Sequence, residues 1–329
     1  MKVLITGGAG FIGSTVASAC LDAGHEVVVL DDFSTGMHEY VLGRPVYEGD
    51  VGDRALLDQV FTEHRIDAVV HCAAKIVVPE SVADPLDYYE NNVAKTITLL
   101  QAMDAHQVPR LLFSSSASIY ATDEKFQVTE NSPLDPGSPY ATTKFMVEYV
   151  LRHTAEATGI RVMSLRYFNP IGADPQFRTG LQTQKPSHVL GKMIEAWQNK
   201  DTFTVTGVDW PTRDGSGIRD YIHVWDLALA HVAALEKFDT VTAEQPYQVV
   251  NLGTGKGATV KELVQAFEAA TGEPLTSTDG PSRPGDVAGA YTVSSKARDV
   301  LGWEAQLTEA DGIRDALAWL PRRRELLGY

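Results

Sequence analysis

The feature that most constrains this chain is a glycine-rich segment directly after its first apolar run, Gly7–Gly13 (GGAGFIG). Gly8, Gly10 and Gly13 fit the spacing G-x-G-x-x-G, and Gly7 with Gly10 and Gly13 fits the wider G-x-x-G-x-x-G. Glycines at these positions let the backbone approach a pyrophosphate and let the following helix pack closely on the strand. The segment therefore predicts a strand–turn–helix unit that binds a dinucleotide.

A carboxylate follows this turn at the distance expected of a ribose contact. Asp31 ends the second apolar run, 18 residues beyond Gly13, close to the ~20 residues typical of the acidic residue that accepts the ribose hydroxyls. Asp32 adds a second negative charge, and the next lysine or arginine is Arg44. A 2′-phosphate would be repelled there, so the sequence favours NAD over NADP. Asp50, after the third run (VYEGDV), is expected either beside the adenine or as a helix N-cap.

Short apolar runs alternate with amphipathic segments through the first half of the chain. The predicted strands are Lys2–Thr6, Glu26–Leu30, Ala68–His71, Arg110–Ser114 and Arg161–Leu165, and the predicted helices are Ile12–Asp22, Ala55–Glu63, Ala94–Ala105 and Ala141–Ala157. This alternation predicts an α/β fold of the Rossmann type, in which a doubly wound parallel sheet is covered by helices on both faces.

The pattern changes after Asn169. Ala173–Ser187 is polar and turn-rich, which predicts a linker or a lid. The remaining predicted elements are helix Val189–Gln198, strand Phe203–Thr206, loop Asp209–Gly217, helix Asp226–Glu236, strand Tyr247–Leu252 and helices Val260–Thr271 and Leu307–Leu320. We therefore expect an NAD-binding Rossmann domain over residues 1–168 and a smaller α/β substrate domain over 169–329, with a boundary that the chain crosses more than once.

Composition excludes several classes of function. The 28 lysines and arginines against 43 aspartates and glutamates give a net charge of −15, which argues against a protein that grips a nucleic-acid backbone. The sequence contains no run long and apolar enough for a membrane span, and its apolar start is too short for a signal peptide. Cys20 and Cys72 cannot form a disulfide framework, which favours a reducing cytoplasm. The nine histidines are scattered, so no metal site is expected.

A second motif indicates redox chemistry. Tyr140 and Lys144 (SPYATTK) are four residues apart, which places a phenol and an ammonium on one face of a helix. A tyrosine with a pKa of about 10 is a poor base at neutral pH, and a nearby ammonium favours the phenolate. Upstream, the segment FSSSASIY ends a strand at Ser114, Ser115 and Ser116, at the edge where open α/β sheets bind ligands. Such a set can remove a hydroxyl proton while hydride leaves the same carbon.

Together these motifs resemble the extended short-chain dehydrogenase/reductase superfamily and, within it, the UDP-glucose 4-epimerase family. The similarity extends over essentially the whole chain. The matching segments are GGAGFIG, EGDV, PLDYYENNV, FSSSASIY, SPYATTK, LRYFNPIGA, DWPTRDGSGIRDYIHVWDLA, NLGTG and SRPGD. The segment DWPTRDGSGIRDYIHV is much more specific to the epimerases than the glycine turn is.

The resemblance implies an NAD-dependent isomerase that interconverts UDP-galactose and UDP-glucose. Carbon C4 of the sugar would be oxidised, the 4-keto sugar would rotate, and C4 would be reduced again from its other face. Tyr140 would be the acid/base, and Ser116 would also bind the sugar O4. Lys144 would hold the nicotinamide ribose and lower the pKa of the tyrosine. The family further implies a homodimer built from the helices at 94–105 and 141–157.

The resemblance also implies two sets of binding residues. NAD would be contacted by Gly7, Gly10, Phe11, Ile12, Gly13, Asp31, Asp32, Asp50, Val51, Asn91, Tyr140, Lys144 and Tyr167. The UDP-sugar would be contacted by Ser116, Tyr140, Asn169, Arg219, Arg283 and Asp286, with residues 169–329 as the UDP-sugar-binding domain. Two arginines suit a diphosphate, because the guanidinium forms charge-assisted, two-pronged hydrogen bonds. Taken alone, Arg219 would be expected to pair with Asp220 at the surface.

Four positions depart from the family pattern or vary within it. Cys72 replaces a phenylalanine near the expected nicotinamide, Lys75 stands one position earlier than a common lysine, and His188 replaces an asparagine expected near the diphosphate. Ala290, four residues beyond Asp286, occupies a position where family members carry either tyrosine or a smaller residue. Alanine there predicts room for a 2-acetamido group, and hence UDP-GalNAc and UDP-GlcNAc as further substrates.

Three alternative functions remain open from the sequence. A nucleotide-sugar 4,6-dehydratase shares the fold but needs an acid/base carboxyl pair, and the corresponding positions here are Ala117 and Ser118. Another nucleotide-sugar epimerase, acting on uronic acids or pentoses, fits the same motifs. A non-catalytic NAD-binding regulator is a third alternative, against which the intact Ser116, Tyr140 and Lys144 argue.

Overall fold

The strands form one large parallel sheet and a second, smaller sheet. The structure is a computed structural model that describes residues 1–283 and 285–329. The strands are β1 Lys2–Thr6, β2 Glu26–Asp31, β3 Val46–Glu48, β4 Ala68–His71, β5 Arg110–Ser116, β6 Gln127–Val128, β7 Arg161–Tyr167, β8 Asn169–Ile171, β9 Phe203–Thr206, β10 Ile218–His223, β11 Tyr247–Leu252, β12 Gly257–Thr259, β13 Ser277–Gly280 and β14 Gly289–Thr292.

The helices fill most of the segments between strands. They are α1 Phe11–Asp22, α2 Arg54–Glu63, α3 Val78–Ala83, α4 Pro85–Tyr89, α5 Lys95–Ala105, α6 Pro139–Ala157, α7 Val189–Asn199, α8 Val224–Val241, α9 Val260–Thr271 and α10 Glu309–Leu327. A π-helical turn, Glu90–Ala94, joins α4 to α5. Over the described ranges, none of these helices combines the length and the apolar composition that crossing a bilayer requires.

The large sheet has the strand order β11-β7-β5-β4-β1-β2-β3, and every neighbouring pair in it is parallel. Its central strands are continuous apolar runs such as Val27–Leu30, because both faces are covered. One face packs on α1 and α8, and the other packs on α2, α5 and α6. This arrangement confirms the predicted doubly wound α/β fold.

A smaller α/β part follows strand β7. Strands β12, β10, β14 and β6 form a second sheet, and β8 pairs with residues Tyr221–His223 of β10. Helices α7, α9 and α10 pack on its core. The chain returns to the large sheet in between, because β11 pairs with β7 and α8 packs beside α1. Strand Tyr247–Leu252, which the sequence places in the second part, thus belongs to the large sheet.

The polar segment 173–187, predicted as a linker or lid, is fixed on both sides. Arg178 donates two hydrogen bonds to the Asp22 carboxylate at the end of α1, at 2.8 and 2.9 Å. The Trp319 indole of α10 donates to the Leu181 carbonyl at 3.0 Å. The segment therefore connects the C-terminal helix to the first βα unit by hydrogen bonds, and it is not a free linker or lid.

Candidate active site

The glycine turn, called here the glycine cradle, leaves no room for a side chain at Gly7 or Gly13. Gly7 has φ +68°, and a Cβ added there would lie 2.7 Å from the backbone of the loop after β4. A Cβ on Gly13 would lie 2.1 Å from the Gly7 carbonyl oxygen. Gly10 is the N-cap of α1 and offers no side-chain acceptor, so the first amides of the helix, at Phe11 and Ile12, are left for an external anion. This is the geometry of a phosphate site.

The Asp31 carboxylate is fixed beside the cradle at the end of β2. It is 6% exposed, and its oxygens accept hydrogen bonds from the Ala9 amide at 2.8 Å and the Phe33 amide at 2.9 Å. Burial raises its pKa above the ordinary value, although these hydrogen bonds lower it in part. Asp32 is exposed and accepts from the amide and the hydroxyl of Ser34, at 2.9 and 2.6 Å.

Asp50 and Asn91 are joined through a shared lysine. The Lys95 ammonium donates to an Asp50 carboxylate oxygen at 2.5 Å and to the Asn91 side-chain oxygen at 3.0 Å. Burial acts to raise the Asp50 pKa, but the hydrogen bonds from Lys95 and from a backbone amide outweigh it and leave that pKa lowered. The N-cap of α2 is Asp53, so Asp50 does not cap that helix. Val51, the next residue, is buried.

Helix α6 carries the predicted acid/base pair. Its start is set by the Ser138 hydroxyl, which accepts from the Ala141 amide at 3.2 Å, and by Pro139 in the first turn. Tyr140 and Lys144 then lie one turn apart. The Lys144 ammonium bonds the Ser114 carbonyl near the carboxyl end of β5, and the Tyr140 phenol lies beside the hydroxyl of Ser116, the last residue of that strand. The structure thus brings all three predicted catalytic residues together.

Lys144 is held in place at the end of this strand. Its side chain is buried, its ammonium donates to the Ser114 carbonyl at 2.8 Å, and it lies 4.9 Å from the centroid of the Phe113 ring. Burial lowers the pKa of Lys144 to about 8, while the neighbouring Cys72 and Glu148 act to raise it. With a pKa of about 8, the Lys144 side chain is still mostly an ammonium at pH 7.

The phenols and the thiol around this lysine stay neutral at pH 7. Burial raises the pKa of Tyr140, which the adjacent Ser116 hydroxyl lowers only in part. Burial also raises the pKa of Tyr167 well above its ordinary value and that of the Cys72 thiol to about 11. The Cys72 sulfur lies 3.2 Å from the Ser114 hydroxyl. Ionising Tyr140 thus needs positive charge beyond that of the buried ammonium, which a bound nicotinamide ring would add.

The sequence analysis missed a buried ion pair beneath these residues. Glu148 lies one turn beyond Lys144 on α6, and Arg166 of β7 binds its carboxylate through two nitrogens, at 2.9 and 2.5 Å. The Ser115 hydroxyl donates to the same carboxylate at 2.5 Å. The only signal in the sequence is the extended spacing of tyrosine, lysine and glutamate at every fourth residue.

The predicted substrate residue Arg219 is held by backbone carbonyls. Its guanidinium donates to the Ala288 oxygen at 2.7 Å and to the Val287 oxygen at 3.0 Å, and burial lowers its pKa. Asp220 faces the other side of β10, where it is buried and accepts from the Thr254 amide at 2.8 Å. The two neighbours therefore do not form the surface ion pair that the sequence alone suggests.

The other predicted substrate residues lie around the same strand. Asn169 begins β8, which pairs with β10. Arg283 and Asp286 pair with each other through two side-chain hydrogen bonds, at 3.0 and 3.1 Å. A Cβ on Gly285 would lie 3.8 Å from the Ser138 side chain, so this loop lies against the start of α6. The loop that carries Arg283 and Asp286 thus lies next to α6, whereas Asn169 and Arg219 lie on the paired strands β8 and β10.

The departures from the family pattern have defined surroundings. The Lys75 ammonium pairs with Asp87, and the His188 ring caps α7 by accepting from the Gly191 amide at 3.2 Å. Ala290 packs on a small apolar cluster formed by Ala117, Tyr120, Val128, Leu134 and Phe168. Within residues 1–283 and 285–329, no three His, Cys, Asp or Glu side chains are grouped as a metal site requires.

Comparison with known proteins finds relatives that match almost the whole chain. Residues 3–253 match the NAD dependent epimerase/dehydratase family. The chain is 43% identical over 321 residues to a UDP-glucose 4-epimerase of Azospirillum brasilense, covering 97% of this chain and 91% of that protein. It is 42% identical over 331 residues to a UDP-glucose 4-epimerase of Bacillus subtilis, covering 97% and 96%. The fold is similar to that of UDP-glucose 4-epimerase from Bifidobacterium longum in complex with NAD+ and UDP, with a TM-score of 0.92, 38% identity and 98% of each chain covered.

Proposed function

The chain belongs to the NAD dependent epimerase/dehydratase family, and we propose that it is an isomerase that interconverts UDP-galactose and UDP-glucose by redox chemistry at the sugar C4. One observation carries the proposal. Tyr140, Lys144 and Ser116 meet at the end of β5, at the same sheet edge as the glycine cradle. In this arrangement an acid/base group and a hydride acceptor can act on one carbon.

The residues around the cradle fit NAD. Gly7 and Gly13 leave no room for a Cβ, and the buried Asp31 carboxylate suits a pair of ribose hydroxyls. We infer NAD contacts from Gly7, Gly10, Phe11, Ile12, Gly13, Asp31, Asp32, Asp50, Val51, Asn91, Tyr140, Lys144 and Tyr167. When bound, NAD supplies the hydride acceptor and donor for C4 of the sugar.

Side chains of the protein carry out the proton transfer. Tyr140, as phenolate, takes the proton from the sugar O4 as the C4–H bond breaks, and the same phenol returns it when C4 is reduced again. Lys144 favours the phenolate by its charge, and Ser116 donates a hydrogen bond that orients O4. The proton balance over the full cycle is zero, so no external acid or base is needed. Inversion requires only that the 4-keto sugar turns over between the two halves.

Rotation of the sugar requires a firm hold on the nucleotide. We infer that Asn169, Arg219 and Arg283 bind the UDP moiety and that Asp286 accepts hydrogen bonds from its ribose. Guanidinium groups suit a diphosphate because each can bind two oxygens at once. In this proposal residues 1–168, with β11 and α8, hold the cofactor, and the rest of 169–329 holds the UDP-sugar.

The small side chain at position 290, in the proposed sugar pocket, favours a second pair of substrates. Ala290 occupies little volume next to Ala117 and Phe168. We infer that a 2-acetamido group fits there, so that UDP-GalNAc and UDP-GlcNAc are interconverted as well.

Exposed apolar side chains and free cysteines support a proposal for assembly and compartment. Ile97 of α5 and Met146 and Tyr149 of α6 are 38–50% exposed, and we infer that these two helices form a homodimer interface. Cys20 and Cys72 are both free thiols, which is consistent with a reducing cytoplasm.

The test uses the purified protein without added cofactor. Denaturation should release NAD, and the native protein should convert UDP-galactose to UDP-glucose. Tyr140→Phe should lower kcat by about 10²–10⁴-fold and still retain NAD, while Tyr149→Phe, an exposed tyrosine on the same helix, should match the wild type. Loss of water from the sugar would select a 4,6-dehydratase instead, and no turnover with any UDP-sugar would select a non-catalytic NAD-binding regulator.

A further inference from the structure

One face of helix α6 carries three ionisable side chains in succession. Tyr140, Lys144 and Glu148 are spaced by four residues, so they lie in a line along the side of the helix that packs on the large sheet. Glu148 is 3% exposed. A carboxylate so deeply buried is costly unless it is bound on all sides, and its partners therefore indicate what it does.

The helix is fastened to strand β5 at two consecutive residues. The Lys144 ammonium donates to the Ser114 carbonyl at 2.8 Å, and the Ser115 hydroxyl donates to a Glu148 carboxylate oxygen at 2.5 Å. The next residue of the strand is Ser116. These two bonds fix how far α6 can slide along β5, and hence the position of the Tyr140 hydroxyl relative to Ser116.

The Glu148 carboxylate is itself held rigidly. Arg166 binds it from β7 through two nitrogens, at 2.9 and 2.5 Å, and the Tyr247 hydroxyl donates from β11 at 3.1 Å. Arg166 also donates to the Tyr120 hydroxyl at 2.9 Å. The Glu148 carboxylate of α6 is thus held in place by β7 and β11. Its bond with the Ser115 hydroxyl ties the end of β5 to the same position.

We propose that Glu148, through Ser115, is a positioning residue that holds the Tyr140–Lys144 face of α6 in register with Ser116 for proton transfer at the sugar O4. The inference rests on the proposed function. Reaction rates depend steeply on such register, since a displacement of about 1 Å can lower a rate by about 10²-fold. Arg219 lies on β10, and Arg283 and Asp286 lie on a loop with an ion pair of its own. We therefore expect a change of register to affect kcat more than the binding of UDP.

The test is Ser115→Ala in the NAD-containing protein, with Tyr247→Phe as the matched control. Each variant removes one hydroxyl donor from the same carboxylate without changing charge, but only the first releases β5. We expect Ser115→Ala to lower kcat for UDP-galactose about tenfold with KM changed less than about twofold. Tyr247→Phe should keep wild-type kcat, and Ser115→Thr, which restores the hydroxyl, should recover most of the activity.

Several outcomes would overturn the proposal. Wild-type kcat in Ser115→Ala, or an equal loss in Tyr247→Phe, would show that the bond to β5 has no special role. A lower thermal midpoint with unchanged kcat would show a purely structural bond. A shift of the acid limb of the kcat–pH profile at unchanged maximal kcat would show an effect on ionisation in place of position. Failure of the wild type to epimerise UDP-galactose would instead refute the proposed function, before any variant is compared.

Discussion

Replacing Lys144 with methionine is expected to stabilise the nucleotide-free protein while removing its activity. Lys144 is 4% exposed, and burial lowers its pKa to about 8 from an ordinary value of 10.5. That difference corresponds to about 3 kcal/mol of folding free energy lost to keeping the charge buried at pH 7. Methionine fills most of the same volume without a charge.

The stability gained by removing the buried charge is offset in part, because the substitution also removes a hydrogen bond. The Lys144 ammonium donates to the Ser114 carbonyl, and leaving that carbonyl unpaired costs about 1 kcal/mol. The net expectation is about 2 kcal/mol in favour of the variant at pH 7. Because the folded pKa lies below the unfolded one, the penalty on the wild type is fully present below pH 8. It disappears as the pH rises from about 8 toward 10.5, and the advantage of the variant shrinks with it.

The assay is urea unfolding of the nucleotide-free proteins at several pH values between 6.5 and 9.5, with pH values chosen to bracket a pKa of about 8. Lys237→Met, on the exposed side of α8, is the control and should stay within about 0.5 kcal/mol of the wild type. Turnover of UDP-galactose by Lys144→Met should fall by at least about 10²-fold. A variant less stable than the wild type at pH 7, or a stability difference that does not change with pH, would refute the reasoning.

Three further substitutions test other parts of the structure. Gly13→Ala places a Cβ 2.1 Å from a carbonyl oxygen of the turn. The amount of NAD retained after purification should therefore fall at least about tenfold, as measured by chromatography of the released nucleotide. The control Gly159→Ala, whose Cβ meets nothing within 4 Å, should retain NAD. Ala290→Tyr should lower turnover of UDP-GalNAc about 10²-fold and leave that of UDP-galactose within about threefold; equal losses would contradict a selective wall. Arg166→Met leaves a buried carboxylate unpaired and should cost about 3–5 kcal/mol in urea unfolding, whereas its combination with Glu148→Leu should stay within about 2 kcal/mol of the wild type. Similar losses in the single and double variants would mean that packing, and not the unpaired charge, sets the cost.

The fold was predictable wherever a segment is uniformly apolar or regularly amphipathic. Strands Lys2–Thr6 and Ala68–His71 and helix Val260–Thr271 have the predicted bounds. Strand β10 was missed because half of its residues are polar. Its Asp220 is buried, and the carboxylate accepts hydrogen bonds from Thr254, a partner 34 residues away. A local pattern carries no information about such a partner.

The residues of the candidate site also fall into those that local sequence predicts and those that it does not. Asp31, Tyr140 and Lys144 stand in motifs whose spacing alone puts them at one sheet edge. Glu148 carries no such mark, because a glutamate in a long helix is expected in solvent. Its burial is possible because Ser115, Arg166 and Tyr247, from three different strands, bind its carboxylate. Residues whose role depends on contacts between elements distant in sequence are the ones that spacing cannot predict.

The acidic character of the chain bears on how it selects a ligand. The cations proposed for the diphosphate already have partners, since Arg219 binds three backbone carbonyls and Arg283 binds Asp286. A phosphate that takes Arg283 leaves the Asp286 carboxylate without its counter-ion, next to a protein of net charge −15. A simple anion offers no replacement for that lost partner. A nucleoside diphosphate does, because its phosphate replaces the carboxylate on Arg283 while its ribose hydroxyls donate to Asp286. We therefore expect the Arg283–Asp286 pair to discriminate against free phosphate, and the excess of negative charge to sharpen that discrimination.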